Sequence, residues 1–195
     1  MAGTVKTNIV QLGDSATATQ NLVIRTNVDG TFTIARGNSG ATIQDILTID
    51  AAGKILMPQS KGPAFIAYAT SGQSIPSATF TKLLFDTEEN DTNGCLASSR
   101  FTPTTAGFYQ INGAVQFNSG TSPIVAIFKN DAEYARGVFP QGTSSQSSTV
   151  AALVFLNGTT DYVELKAYQQ SGSAMTTQAS IRSLNYFHGF LAREA

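Results

Sequence analysis

Chemistry at neutral pH needs groups that exchange protons or hold a metal there, and this chain offers few. His188 is the only histidine, so a Ser-His-Asp triad would have to use it as the base. It sits in Asn185-Tyr186-Phe187-His188-Gly189-Phe190-Leu191, a strand-like aromatic run without a nucleophile motif nearby, and reads as structural. No Gly-x-Ser-x-Gly elbow and no Gly-x-x-x-x-Gly-Lys-Ser/Thr phosphate loop is present. Cys95 is alone, which excludes an intrachain disulfide and a multi-cysteine metal site. The acidic segment from Asp86 to Asn93 is the best metal candidate. Set from Glu89, the calcium-loop template finds Asp91 at its third position, Asn93 at its fifth and Gly94 at its sixth. It then fails, with Glu89 where Asp belongs and Arg100 where the bidentate Glu belongs. Asp86, Glu89, Asp91 and Asn93 therefore read as a solvated acidic turn. Nothing in the sequence pairs two carboxylates as glycoside hydrolysis requires. The expectation is a non-enzyme without a cofactor.

The elements that would have to position any site are β-strands. Charged residues make up only 13% of the 195 residues, about half the usual ~25%. The missing polarity comes from hydroxyls, with 24 Thr and 18 Ser. Thr suits pleated, half-buried surfaces and is poor in helices. Net charge is -1 with the basic residues scattered, so no stripe for a phosphate backbone exists and nucleic-acid binding is not expected. No run approaches the ~18 apolar residues of a membrane span, and the first residues carry no signal-like apolar stretch. Synthesis in a cytoplasm is the expectation.

Short period-two runs recur, separated by turn signals, as in a sandwich or barrel. In residues 109–118, Tyr109, Ile111, Gly113, Val115 and Phe117 share one face, while Gln110, Asn112, Gln116 and Asn118 share the other. Val163, Leu165 and Ala167 point inward from a second strand, Glu164 and Lys166 outward. Residues 150–156 are apolar on both faces, and Ile124 to Phe128 nearly so. A two-layer sandwich covers one face of each sheet, so the second apolar face needs a partner subunit or a long loop. Val150, Ala152, Val154 and Leu156, with Ile124, Phe187 and Phe190, are assigned to a trimer interface. On that reading Val154→Asp leaves the chain monomeric or insoluble.

Residues 1–61 differ. Leu22-Val23-Ile24 and Phe32-Thr33-Ile34 flank a turn at Asp29-Gly30, and residues 46–49 and 55–57 flank one at Asp50-Ala51-Ala52-Gly53. One hairpin is marginal alone in water, so these must pack on each other, on the following domain or on neighbouring chains. Residues 1–20 read as an extended arm ordered by a partner. Pro58 through Pro63 marks a boundary ahead of a domain spanning 62–195.

That domain resembles the globular heads shared by complement, adipocyte hormones and, more distantly, tumour-necrosis factor. The resemblance rests on Pro63-Ala64-Phe65-Ile66-Ala67, Phe85-Asp86, Phe101-Thr102-Pro103, Ala106-Gly107-Phe108-Tyr109, Lys129-Asn130-Asp131, residues 156–165 and Phe187-His188-Gly189-Phe190-Leu191. It implies a ten-stranded jelly roll assembled as a homotrimer. The resemblance leaves calcium binding open as a family property, but the sequence lends it no support, since the chain departs from the secreted members in signal peptide and collagen-like stalk. Residues 46–58 resemble stalk segments of bacteriophage fibres. Together the resemblances imply an all-β virion protein with an attachment arm and β-hairpin stalk in 1–61 and a trimeric head in 62–195. The expected role is a short fibre or decoration protein on capsid or neck. The alternative is a receptor-binding tip for host glycan or protein, with Phe139, Gln141, Tyr168 and Gln170 as ligand contacts.

Overall fold

The computed structural model describes residues 9–17, 20–38, 41–56, 62–117, 123–138, 146–178 and 182–195. The chain forms two compact units, Met1–Lys61 and Gly62–Ala195. No α-helix occurs among the described residues.

The first unit is a five-stranded antiparallel meander of β1 (Ile9–Leu12), β2 (Leu22–Thr26), β3 (Phe32–Asn38), β4 (Ala41–Ile49) and β5 (Ile55–Leu56). The two expected hairpins form, and acidic side chains shape their turns. The Asp29 carboxylate accepts the Thr31 N–H at 3.0 Å, and the Asp50 carboxylate accepts the N–H groups of Ala52 and Lys54 at 3.0 and 2.8 Å. The hairpins do not stay separate, because β3 pairs with β4 and joins them in one sheet. Nor are residues 9–12 part of a free arm: β1 pairs with β2 along its whole length.

The second unit is a sandwich. Its strands are β6 (Ala64–Tyr68), β7 (Ser74–Ile75), β8 (Thr81–Lys82), β9 (Thr87–Asp91), β10 (Leu96–Ala97), β11 (Arg100–Phe101) and β12 (Gly107–Phe117), then β13 (Ile124–Lys129), β14 (Ala132–Arg136), β15 (Gln146–Leu156), β16 (Val163–Tyr168), β17 (Met175–Thr176) and β18 (Tyr186–Glu194). One sheet has the order β15-β12-β18-β6-β9. The other runs β10-β11-β16-β13-β14 with β8 added on β16, and β17 pairs with β7 in a separate ribbon. The two sheets thus hold eleven strands among the described residues where ten were expected.

Alternation explains the core. Tyr109, Ile111, Gly113, Val115 and Phe117 of β12 are all buried, as are Val163, Leu165 and Ala167 of β16. Between the sheets Phe65 stacks on Phe101 at 4.3 Å and meets Phe187 edge-on at 4.6 Å. Such contacts add to the burial of large rings. Strand β13 shows why two-faced apolar runs are ambiguous. Val125 and Ile127 face the core, yet Ile124, Ala126 and Phe128 are buried too. Their cover comes from within the head: Phe80 packs edge-on to Phe128 at 5.2 Å and lies 5.1 Å from Tyr168, and the Ala78 N–H donates to the Gln169 carbonyl at 2.8 Å. Here the long-loop alternative holds, and Ile124 is not an interface residue.

Candidate interaction face and recess

The outward side of the β15-β12-β18-β6-β9 sheet is built from side chains that alternation aims away from the core. Register places Phe108 of β12 opposite Phe155 of β15, Gln110 opposite Leu153 and Asn112 opposite Ala151. Across β12 and β18, Gln110 lies beside Phe190 and Asn112 beside His188. Across β18 and β6, Tyr186 neighbours Tyr68, and His188 neighbours Ile66. At the β15 end the surface is a ridge: Phe108 is 40% exposed, Leu153 52%, Phe155 39% and Phe190 49%. Phe108 and Phe155 meet edge-on at 5.4 Å. A cluster of half-exposed rings on one sheet face is the kind of patch that marks an interaction site.

This corrects the face assigned from sequence. Val150, Val154, Leu156 and Phe187 lie in the core between the sheets, and Ala152 is half-buried against it. The four buried side chains have no free surface for a neighbour, so Val154→Asp would place a carboxylate in the core and report on folding alone. The outward residues of this strand are instead Ala151, Leu153 and Phe155. Phe190, also assigned to the interface, does face outward.

Towards β6 and β9 the same face dips into a recess of about 470 Å³ lined by Ile66, Arg182, Ser183, Tyr186 and His188. Small-ligand clefts occupy ~300–1,000 Å³. The Arg182 guanidinium pairs with the Glu89 carboxylate and lies 5.8 Å above the Tyr68 ring. His188 sits 5.2 Å from the Tyr186 ring. Burial, aided by repulsion from Arg182, holds its pKa below the ordinary value. Nothing in the sequence brought Arg182 to this strand pair; the placement depends on the register of β18 against β6.

The acidic segment is an edge strand rather than a loop. Glu88 and Glu89 lie in β9, charges that blunt an exposed sheet edge. Asp86 accepts the Thr70 N–H at 2.7 Å; burial pushes its pKa up, and the bonds from Thr70, Ser71 and Thr87 outweigh that and lower it. Asp91 accepts N–H groups from Leu96 at 2.7 Å and Asn93 at 3.3 Å, and the Asn93 side-chain oxygen Oδ1 accepts the Thr92 hydroxyl at 2.7 Å. Each group is engaged in shaping its own turn or pairing with Arg182. Among the described residues no three His, Cys, Asp or Glu side chains are grouped to hold a metal ion.

Of the expected ligand contacts, Phe139 and Gln141 lie outside the described residues. Tyr168 and Gln170 are joined by an amide-to-phenol hydrogen bond of 2.7 Å. They lie on the Phe80 side of the head and apart from the recess.

One cluster escaped the sequence reading. Glu164 points outward as alternation requires, yet it is only 2% exposed, because Lys82 and Arg100 both donate to its Oε1 at 2.7 Å. Burial pushes its pKa up, but the two hydrogen-bonded cations more than offset this and hold it below the ordinary value. Arg100 also stacks on Tyr162 at 3.8 Å, whose hydroxyl donates to Asp131 at 2.7 Å. No local sequence signal links residues 82, 100 and 164; only strand order does.

The two sheets define the class: an all-β jelly-roll-like domain, one sheet of which carries half-exposed aromatic side chains on its outward face. Comparison with solved structures supports the fold. The chain is similar to the globular domain of a zebrafish complement 1qA protein, with 14% identity and a TM-score of 0.52 over 69% of this chain and 100% of that one. It is similar to murine APRIL, with 11% identity and a TM-score of 0.52 over 67% and 99%. It is also similar to the Eiger TNF of S. frugiperda, with 8% identity and a TM-score of 0.51 over 69% and 94%. No family model matches the sequence, and no curated protein matches it.

Proposed function

We propose that the chain is a structural virion protein, a short trimeric fibre or decoration protein of a phage capsid or neck. The head trimerises through the outward face of the β15-β12-β18-β6-β9 sheet, and residues 1–61 hold it to the particle. The observation that carries the reading is the ridge of Phe108, Leu153, Phe155 and Phe190, four large apolar side chains half-exposed on one sheet face. Covering the exposed half of each contributes ~1 kcal/mol, about half of what burying a whole such side chain gives. The jelly-roll likeness supports a trimer through the resemblance to complement and tumour-necrosis-factor heads, and the stalk-like hairpins of residues 22–56 support a fibre. Two measurements test it. Sedimentation should show three chains per particle, and purified protein should bind virus particles stripped of it. A monomer at all concentrations refutes the assembly, and failure to rebind refutes the decoration role.

The recess favours a second reading, a receptor-binding tip for a host surface glycan or protein. Its neutralised Arg182-Glu89 pair and aromatic walls suit an uncharged polar ligand better than an anion. Excess purified protein added to host cells before virus should then block adsorption. Unchanged adsorption removes this reading and leaves the first.

A further inference from the structure

Asn-Gly is the dipeptide at which a side-chain amide is most readily attacked by the following backbone nitrogen, because glycine puts no side chain in the way. The chain has three: Asn93-Gly94, Asn112-Gly113 and Asn157-Gly158. The structure sorts them. Asn112 and Gly113 lie in the middle of β12, paired on both sides with β15 and β18. A Cβ on Gly113 would fall 2.1 Å from Leu165 Cδ1, so the backbone there has no room to rearrange. Asn157 is locked differently. Its side-chain oxygen accepts the N–H groups of Thr159, Thr160 and Asp161 at 3.0, 3.0 and 2.9 Å. Gly158 is wedged with its Cβ position 2.4 Å from the Ala106 nitrogen.

Asn93 has neither restraint. It is exposed at a turn tip, and its side-chain oxygen accepts only the exposed Thr92 hydroxyl. Gly94 has φ +63° with nothing within 4 Å of its Cβ position. Loop tips of this kind open at little cost.

We propose that Asn93 is a site of spontaneous hydrolytic deamidation, at which the fold leaves one Asn-Gly pair reactive and protects the other two. The Gly94 backbone nitrogen loses its proton and forms a bond to Asn93 Cγ. The Cγ–Nδ2 bond breaks, and the amide leaves as ammonia after taking up a proton. Water then opens the cyclic imide at either carbonyl, giving aspartate or isoaspartate. The site matters because this turn carries the chain from β9 in one sheet to β10 in the other. Asp91 ties the turn by accepting the N–H groups of Asn93 and Leu96. A new carboxylate adds a like charge beside Asp91, and isoaspartate inserts a methylene into the main chain there. The modification acts as a clock on the joint between the sheets.

The test is to age the purified full-length chain in warm, mildly alkaline buffer beside a denatured sample, then digest both with trypsin. Cleavage after Lys82, Arg100, Lys129, Arg136 and Lys166 puts Asn93, Asn112 and Asn157 in separate peptides, and fragmentation places any amide-to-acid mass gain. In the folded chain Asn93 should convert roughly tenfold or more faster than Asn157, whose three hydrogen bonds must first open. In the denatured chain all three should convert at similar rates. The proposal is overturned if folded Asn93 keeps its amide while the denatured chain converts, or if Asn112 or Asn157 converts as fast as Asn93 in the folded protein.

Discussion

Leu153 and Val154 are neighbours on β15 with opposite surroundings, and the proposed assembly assigns them opposite phenotypes. Leu153 is half-exposed on the outward face, while Val154 is wholly buried between the sheets. Leu153→Asp leaves the protomer core intact, and the backbone carbonyl of residue 153 can still accept the Tyr134 hydroxyl, now at 3.0 Å. A surface change of this sort alters protomer stability by about 0.5 kcal/mol, with up to ~1 kcal/mol for the poor strand propensity of Asp. Its effect on assembly is far larger. About half of the side chain remains to be covered, so roughly 1 kcal/mol of the ~1.5–3 for a whole leucine is lost at each site. A carboxylate put in its place must also be desolvated, at several kcal/mol. Repeated around a three-fold axis, the sum reaches ~10 kcal/mol, about seven decades in the association constant. Val154→Ala removes two methyl groups from the core, costs ~2 kcal/mol and lowers the melting temperature, yet should still assemble wherever it is folded. Sedimentation velocity paired with thermal melts by circular dichroism separates the two effects. A folded Leu153→Asp protein that sediments like the wild-type trimer would exclude this face from the interface.

Three further outcomes follow from the head. Glu164→Gln should cost ~1–3 kcal/mol at neutral pH, below the ~3–5 typical of a broken buried pair because Lys82 and Arg100 can rehydrate. Since the folded-state pKa of Glu164 is lowered, its contribution is present above the unfolded-state value and disappears as pH falls through the folded one. Urea titrations of the variant should therefore show a flatter acid limb than the wild type. Tyr109 is buried, donates to the Thr105 carbonyl at 2.7 Å and has a pKa pushed up to about 12, by burial first. Its neutral form stabilises the fold up to the ordinary tyrosine pKa, and that contribution is lost as pH rises through about 12. Tyr109→Phe should cost ~1 kcal/mol and remove the most alkaline step from the ultraviolet titration of the tyrosines. Gly158→Ala meets both a positive φ of 72° and the Ala106 backbone, and a loss of ~2–4 kcal/mol is expected in denaturant melts; an unchanged midpoint would mean that this turn shifts freely.

What the sequence made legible was whatever period two can encode. Strands 109–117 and 163–167 came with the correct inward faces, because polar residues marked their outward sides. Strand 150–156 did not, because both of its faces are apolar and alternation then carries no sign. The pairing of Val154 with core residue Tyr109, and of Leu153 with Gln110, decides the question, and pairing is a long-range fact. Strand 124–128 failed for a related reason: its cover, the Phe80 segment, lies more than forty positions earlier in the chain. The acidic segment was misjudged in shape because charge suggests a loop, whereas an edge strand also tolerates charge on its free side. The recess joins Tyr186 and His188, which period two puts on one face of β18, to Arg182 and Ile66, which no spacing rule connects to them.

The edges of the outward-facing sheet bear on how the head can associate. A sheet grows by adding a strand to an open edge, and an open edge leads to fibres or aggregates as readily as to closed oligomers. The β9 edge carries Glu88 beside the Arg182-paired Glu89, and charged side chains on an edge strand oppose an incoming strand. At the β15 edge, two backbone acceptors are already taken from within the protomer: Lys129 Nζ donates to the Phe155 carbonyl at 2.7 Å and the Tyr134 hydroxyl donates to the Leu153 carbonyl. With one edge charged and the other partly capped, the proposed assembly uses the aromatic face rather than an edge. Face packing makes no demand on strand register and has no free ladder to propagate, and it closes into a ring where the rotation between neighbours is a third of a turn. The same capping lets Leu153→Asp act on the face without opening the edge, so the variant should give soluble monomers rather than aggregates. Fibrils or large aggregates from that variant, detected by light scattering, would mean that the edge rather than the face governs association.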